Sequence, residues 1–534
     1  INAEWKEDKD ERKVYENYKD FHQIIKFLPA YRVLALNRGE KEGALKVYFT
    51  FDRNSLEKIF ATLFKQFVKG DSKLFMPEFD EHSKLKLPKS VDFAIMTAPQ
   101  LVAYATVDGY TRLLDPSLER EFRNELTDNA NEQSIKMFEV NLKPLLMQPP
   151  LKGKTIMAVD PAYRTGCKIA VIDPSGKVLD TGVVYPTPPQ NKVEEAITTL
   201  SAMIIKNNVD TIAIGNGTAS KESEIFVTKL IKAMAPRKLQ YAMVNESGAS
   251  VYSASKLGAK EFPQYDVSIR SAVSIARRLQ DPLAELIKID PKSLGVGQYQ
   301  HDMPQKRLGE VLDGVVENSV NTVGVDLNTA SVALLTHVSG LNAGIAAEIE
   351  KYRDKHGNFK DRRELLEVNK LGAKAYEQCA GFLRIPHGKN ILDNTAVHPE
   401  SYPAVEKLLS HFGLTKDDIA NGGLNTLSQR IAAEGVAKVA EICGVGEPTL
   451  LDIVTELQKP GRDIRDTLPQ PVLRSELLGL ADLQVGMDLD GVVRNVIDFG
   501  AFVDVGVHTD GMVHISETVS YTHLRAHETV LDLV

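Results

Sequence analysis

The chain has 534 residues, of which 43% are hydrophobic, 25% charged and 7% aromatic, so several domains with ordinary cores are expected and global disorder is excluded. A net charge of -8 means that any contact with a polyanion must use local basic patches or backbone donors. Cys167, Cys379 and Cys443 are far apart and form no CxxC pair, which argues against a zinc site or disulfide framework and for a reducing cytoplasm. No apolar run is long enough to cross a bilayer, so no membrane partner is expected. INAEWKEDKDERK at the start carries no signal-peptide pattern, and its initial Ile points to a missing upstream portion.

Residues 1–150 read as a helical region with a strand-like interruption at LKVYFTF. Asp115 is placed to cap a helix with Pro116 in its first turn. Leu118, Phe122 and Leu126, then Phe138, Leu142 and Leu145, recur at helical spacing and read as packing surface. From 151 to 326 the pattern changes. TIMAVD, KIAVID and VLDTGVVYP are three strands joined by short turns. TIAIGN and YAMVNE follow as strands separated by helices near 190–207 and from about Ser220, with more helices after them. Three meandering strands followed by strand–helix alternation describe a mixed sheet covered by helices, the order of the RNase H-like fold.

Residues 327–395 are expected to form a tandem helix-hairpin-helix domain, because VSGLN and NKLGAK each close one helix and open the next. Residues 396–468 read as a second helical, hairpin-like domain with GVGEPT at a further turn. KPGRDIRDTLPQPVLRS, rich in proline and charge, reads as a linker, and 469–484 is taken as the linker proper. MDLDGVVRNV, AFVDVGV and GMVHIS then alternate as strands of a partial OB-type barrel over 485–517, followed by a tail at 518–534. The fold class is therefore multidomain, α/β and α with a small β unit.

Three constellations could carry chemistry. In the RNase H-like block, Asp160 ends the first strand, Glu246 follows the fifth, and Asp313 and Glu317 lie at i, i+4 on LGEVLDGVVENSVN. Converged, they would hold Mg²⁺ for phosphodiester hydrolysis. Asn216, however, stands where resolvase-type members carry an acid. The site is thus read as a remnant, with no cofactor expected and at most weak Mg²⁺ at Asp160 and Asp313. The bland reading makes these acids polar strand ends and helix-surface salt bridges. GNGTAS lacks the Lys-Ser/Thr ending of a phosphate loop and reads as a strand-to-helix turn capped by Thr218 or Ser220.

In the hairpins, glycine turns let backbone N–H groups approach phosphate, and the following helix N-terminus adds its dipole. Gly340, Gly372 and Lys374 are the candidates, Gly340 the weaker because Leu341-Asn342 follows it. The alternative is a helical bundle with glycine corners. In the last strands, Phe499, Phe502 and His514 are placed to stack unpaired bases and Arg494 to meet a phosphate, unless the phenylalanines are core. Arg277, Arg278, Arg362 and Arg363 read as solvated helix faces, with phosphate contact the alternative.

FGAFV and GMVHIS look like the S1 RNA-binding motif. DPAYRTGCKIAVID, AIGNGTAS, GASVYSAS, SIARRLQDPLAELIKIDPKSLGVGQYQHDM, DLNTAS and LDNTAVHPESYP resemble the bacterial Tex family of transcription accessory proteins, related to the eukaryotic elongation factor Spt-six. The resemblance covers about residues 15–517. It implies a cytoplasmic transcription factor that binds RNA and also DNA largely without regard to sequence, through its S1 and hairpin domains, alongside the transcription machinery or ribosome. It also implies a YqgF/RuvC-type domain without an established cutting role. The alternative is a metal-dependent nuclease or resolvase. TVSYTHLRAHETVLDLV departs from the family, so the S1 unit is expected to be truncated, with Val503, Val505, Val513 and Ile515 less buried than in a closed barrel.

Overall fold

A computed structural model describes the chain except residues 51, 68–77, 80–83, 88–92, 95, 296, 298, 462, 469, 476–484, 488, 490, 498–499, 506, 508–509, 518–528 and 531–534. The chain forms two compact units, one of residues 1–138 with 297–308, the other of 139–296 with 309–534.

In the first unit, the LKVYFTF stretch does supply a strand, Leu45–Tyr48, but it pairs with Asn2–Trp5, which pairs in turn with Phe21–His22. Tyr15, Leu36, Leu45, Val47 and Phe49 form the core beneath this sheet. Asp115 is not the start of a separate helix. Ala98–Gly109 runs through a wide turn, Tyr110–Leu114, directly into Asp115–Leu146, and Asp115 itself is helical. Leu126 packs on the core, whereas Phe122 is 39% exposed, so the stripe is only partly buried.

The second unit begins with β1 (Ile156–Asp160), β2 (Cys167–Ile172) and β3 (Val178–Val184), followed by α1 (Val193–Asn207), β4 (Thr211–Gly215), α2 (Ser220–Ala233), β5 (Gln240–Val244) and α3 (Val267–Gln280). The sheet order is β5-β4-β1-β2-β3, with β1, β4 and β5 parallel and β2 and β3 antiparallel. This is the RNase H-like arrangement. Both faces are covered, which is why the central strands read as continuous apolar runs. Met157, Val159, Ile169 and Val171 pack under α1 and α2, and Ile156, Ala158, Ala170 and Ile172 under α3. The turn at GNGTAS is capped by neither Thr218 nor Ser220. Ala219 is the N-cap, in a left-handed conformation without a side-chain bond.

The hairpin domain follows. Its ends are joined by a parallel pair, Val325–Asp326 with Leu383–Arg384. Val332–Leu335, a turn and α4 (Ala343–His356) form the first hairpin. Arg362–Glu367, a turn and α5 (Ala373–Cys379) form the second. The next domain packs Tyr402–His411, Leu427–Glu434, Val436–Cys443 and Glu447–Gln458 around Leu408, Ile431, Val439 and Ile453. Between the two lies Arg362, which is 1% exposed and therefore not on a solvated face. Its guanidinium is bonded to backbone carbonyls on both sides.

The segment read as a linker is docked at least to residue 474. Arg465, 3% exposed, bonds Asp281 and Asp463, and Arg474 exchanges two backbone hydrogen bonds with Tyr241 on the sheet edge, each 2.8 Å. Proline and charge, the linker signals, here serve an extended strap held by buried arginine. The last sheet has β6 (Gly491–Ile497), β7 (Gly500–Asp504), β8 (Gly511–His514) and β9 (Thr529–Val530) in the order β8-β7-β6-β9. β9 comes from the tail and pairs with Gly491 and Val492. Val503 is fully buried with Val493 and Ala501, contrary to the expectation of an opened core, while Val505 and Val513 are partly buried. The side chain of Ile515 lies outside the described residues.

Candidate functional site

The parallel strands β1, β4 and β5 end together, and their C-terminal ends carry Asp160, Asn216 and Glu246. The Asn216 side-chain oxygen accepts the Glu246 N–H at 3.1 Å, and the Asn216 N–H donates to Val244 O at 3.0 Å. Asn216 thus ties two strand ends together. A Cβ at Gly215 or Gly217 would collide with the Glu246 carboxylate, so these glycines let that carboxylate lie over the strand end. α3 closes the cleft with Ser271, which bonds Asp160, and Arg278.

Burial pushes the Asp160 carboxyl above its usual range, offset in part by the Ser271 hydrogen bond and the charges of Lys168 and Arg278. Burial likewise raises Glu246, and Asp160 raises it further, while the Gly217 N–H and Arg278 act against them. Arg278 is 3% exposed, and burial lowers its pKa to about 10. It is therefore no solvated helix residue. Its Nη1 donates to Asn245 O and Ser247 O at 2.7 and 2.8 Å. Arg277 bonds Gly176 O and Glu261 rather than facing solvent alone.

Asp313 and Glu317 do not join Asp160 and Glu246. They lie on Gln305–Val323, whereas the helix beside the strand ends is α3. Glu317 accepts a hydrogen bond from Ser339 at 2.7 Å, and both acids face His337, whose imidazole burial pushes down. The three or four carboxylates that could converge are therefore a pair. Among the described residues no group of three or more His, Cys, Asp or Glu side chains could hold a metal ion. One amide, two carboxylates and a buried guanidinium do not match the oxygen-rich, negative donor set that Mg²⁺ needs.

These raised carboxyls carry a pH prediction. A group whose folded pKa lies above its unfolded value contributes stability that is complete below the usual carboxylate range and lost as pH rises through the folded value. Asp160→Asn should therefore melt with wild type at pH 4 and above it at pH 7, by on the order of a few °C. Calorimetry across that range checks this, and a variant that melts below wild type at pH 7 would refute it.

In the hairpins, superposing the turn sequences pairs Gly340 with Lys370 rather than with Gly372. Gly340 and Lys370 are the left-handed residues, with φ of 82° and 68°. Gly372 instead matches Asn342, the N-cap of α4, whose side chain accepts from the Ile345 N–H at 3.0 Å. Gly372 is extended at the N-cap of α5 and has no side chain to cap it. Asn342, Ala343 and Gly344 are exposed, as are Gly372, Ala373 and Lys374. Two exposed helix starts thus face outward, one capped by its own side chain and one not.

In the last sheet, Gly500 pairs with His514 and Phe502 with Met512, while Ala501 pairs with Val513. Side chains alternate between faces, so Phe502, Met512 and His514 share the face opposite the Val493, Ala501 and Val503 core. Phe502 is half-buried, Met512 is 51% exposed, and the exposed His514 has its Nδ1 held by Ser516. Met512 is the member sequence reading missed. The register places its apolar side chain on the outer face. Phe499 and the side chain of Arg494 lie outside the described residues.

Comparison with known proteins follows the same division. Family models match at 154–280 (Tex protein YqgF-like domain), 320–384 (helix-hairpin-helix motif), 390–465 (HHH domain) and 482–530 (S1 RNA binding domain). The chain is similar to "Uncharacterized protein YdcI" of Bacillus subtilis, 49% identical over 511 residues, 96% of this chain and 67% of that protein. It is similar to "Protein tex" of Bordetella pertussis, 46% identical over 94% of this chain and 61% of the relative. "Transcriptional accessory protein Tex" of Neisseria gonorrhoeae is 44% identical over 96% and 64%. The chain thus spans about two thirds of the length of these curated relatives, between 61% and 67%.

Proposed function

The chain belongs to the Tex family, and from that premise we propose that it is a cytoplasmic transcription accessory factor that grips RNA, and also DNA, by backbone and base stacking, and cuts neither. The observation that carries this reading is the presence in one chain of two exposed hairpin helix starts, at 342–344 and 372–374, and an outer sheet face bearing Phe502, Met512 and His514. Helix starts offer N–H groups to phosphate, which is the same on every nucleotide, and flat or apolar side chains stack on any base. Neither reads sequence. An acidic protein binding this way uses few cations, so its affinity falls with salt less steeply than that of a basic-groove protein. The transcription machinery or the ribosome is the expected neighbour of such a factor. No helix among the described residues is long and apolar enough to cross a membrane.

The test is binding and cleavage of labelled single- and double-stranded RNA and DNA, with and without Mg²⁺ or Mn²⁺. Single-stranded RNA of unrelated sequences should bind within about threefold of one another. Deleting 482–534 should weaken single-stranded RNA binding about tenfold or more, the worth of one or two stacked bases. Equal affinity after the deletion would place binding elsewhere. Metal-dependent cleavage lost in Asp160→Ala would favour the nuclease alternative.

A further inference from the structure

We propose that Arg278, helped by Lys168, is the resident cation of the Asp160–Glu246 pair, so that the RNase H-like cleft carries its own fixed counter-charge and is closed to divalent metal. Asp160 is the register partner of Lys168, so the two side chains leave the same face of neighbouring strands. Lys168 is 8% exposed, and its Nζ is fixed by the carbonyls of Thr165 and Gly166 at 3.0 and 2.8 Å. On the other side of β1 lie β4 and β5. There the Arg278 guanidinium is tethered to the carbonyls of Asn245 and Ser247, the residues that flank Glu246. Asp160 is thus bracketed by a cation from β2 and a cation held at the end of β5.

The rest of the guanidinium makes no hydrogen bond. Nε and Nη2 of Arg278 are buried without a hydrogen-bond partner, and so is Oε2 of Glu246. A buried guanidinium needs nearby anions, and here three carboxylates share that role, so that no single one is indispensable. The acids acting on Arg278 are Glu285, Glu246 and Asp160. Glu285 acts most strongly, its Oε2 on Lys288 at 2.8 Å and its Oε1 buried without a partner, and the two cleft carboxylates add their charge from the other side. Arginine keeps its charge at neutral pH and, tethered twice and 3% exposed, it cannot swing out to make room. A divalent ion between the two carboxylates would therefore sit beside a fixed positive charge. Asn216, neutral and with its oxygen engaged by the Glu246 N–H, adds nothing to offset that repulsion.

Mn²⁺ binding to the full chain, read from the loss of the free-ion electron paramagnetic resonance signal, tests this without any nucleic acid. Its result is therefore independent of whether the chain binds RNA. Wild type and Asp160→Asn should bind millimolar Mn²⁺ alike. Arg278→Gln should tighten binding at least about tenfold, a modest part of the Coulomb repulsion removed. The gain should vanish in the double variant Arg278→Gln/Asp160→Asn, and Arg278→Lys, which keeps the charge, should behave as wild type. Mn²⁺ binding by wild type that Asp160→Asn abolishes would overturn the proposal, as would a folded Arg278→Gln that gains nothing. If circular dichroism shows Arg278→Gln unfolded, the comparison of wild type with Asp160→Asn decides: Asp160-dependent binding overturns the proposal, and its absence upholds it.

Discussion

Arg362→Met is expected to destabilise the helical part of the chain by about 3–5 kcal/mol, the usual loss when one partner of a buried charged network is removed. The guanidinium makes four hydrogen bonds: Nε to Leu383 O at 2.7 Å, Nη1 to Val397 O at 2.9 Å and Tyr402 Oη at 2.8 Å, and Nη2 to Thr395 O at 2.5 Å. Its own N–H donates to Asp393, which also accepts from Tyr402. Asp393, 1% exposed, would keep the backbone N–H of residue 362, but the Tyr402 hydroxyl that bonds it would lose its anchor on the guanidinium. Methionine fills similar volume but returns none of these bonds, so three carbonyls lose a donor as well. The acceptors come from segments on both sides of residue 390, so the loss should appear as uncoupling of the hairpin domain from the one after it. Urea denaturation followed by circular dichroism measures the effect. A loss under about 1 kcal/mol would mean that water replaces the guanidinium and that Arg362 is no staple.

Gly340→Val and Gly372→Val should fail in different ways, although both glycines sit in hairpin turns. At Gly340 the backbone has φ of 82°, and an added Cβ would meet Gln378 Cβ at 2.6 Å and Ala375 O at 3.2 Å. A β-branched residue there faces both left-handed strain and a clash with the second hairpin. A loss of about 2–4 kcal/mol is expected. Gly372 is extended, at φ -87° and ψ 172°, and its Cβ would meet nothing within 4 Å. Valine there should cost about 1 kcal/mol or less, the difference between glycine and a poor N-cap. Its branched side chain would nevertheless stand in front of the uncapped start of α5. Duplex affinity should then fall about fivefold, evenly across unrelated sequences, with a salt slope only slightly shallower because no cation is removed. Fluorescence anisotropy at several salt concentrations, with stability measured in parallel, separates the two effects. Unchanged affinity in a folded Gly372→Val would end the reading of this hairpin as a phosphate site.

Much of the architecture was legible because it is written in local pattern. Three apolar strands joined by short turns, then strand–helix alternation, admit few sheets that bury both faces, and β5-β4-β1-β2-β3 is the one observed. The hairpin turns were legible from glycines between helical segments, although only Gly340 holds φ above zero; in the second turn Lys370 does, and Gly372 marks the extended helix start. FGAFV and GMVHIS marked β7 and β8 for the same reason of alternation. Asp160, Asn216 and Glu246 were found together because parallel strands that share a register end at the same edge.

What the sequence could not say was which helix would close the cleft. Several helices follow β5, and each carries polar residues at helical spacing. Asp313 and Glu317 were chosen by charge, but packing put α3 against the sheet and turned those acids toward His337. Arg278 and Arg362 were read as solvated because arginine is nearly always found at the surface. Arg362 is buried here because carbonyls brought in from distant segments accept from each of its nitrogens, and Arg278 because two such carbonyls hold its Nη1 among nearby carboxylates. Phe502, Met512 and His514 joined one outer face only through the pairing of β7 with β8. Local preference and hydrophobic period therefore determined the elements and their order, as both act over a few residues. Tertiary structure decided the fate of Arg278 and Arg362, because the groups that hold them lie far from them along the chain.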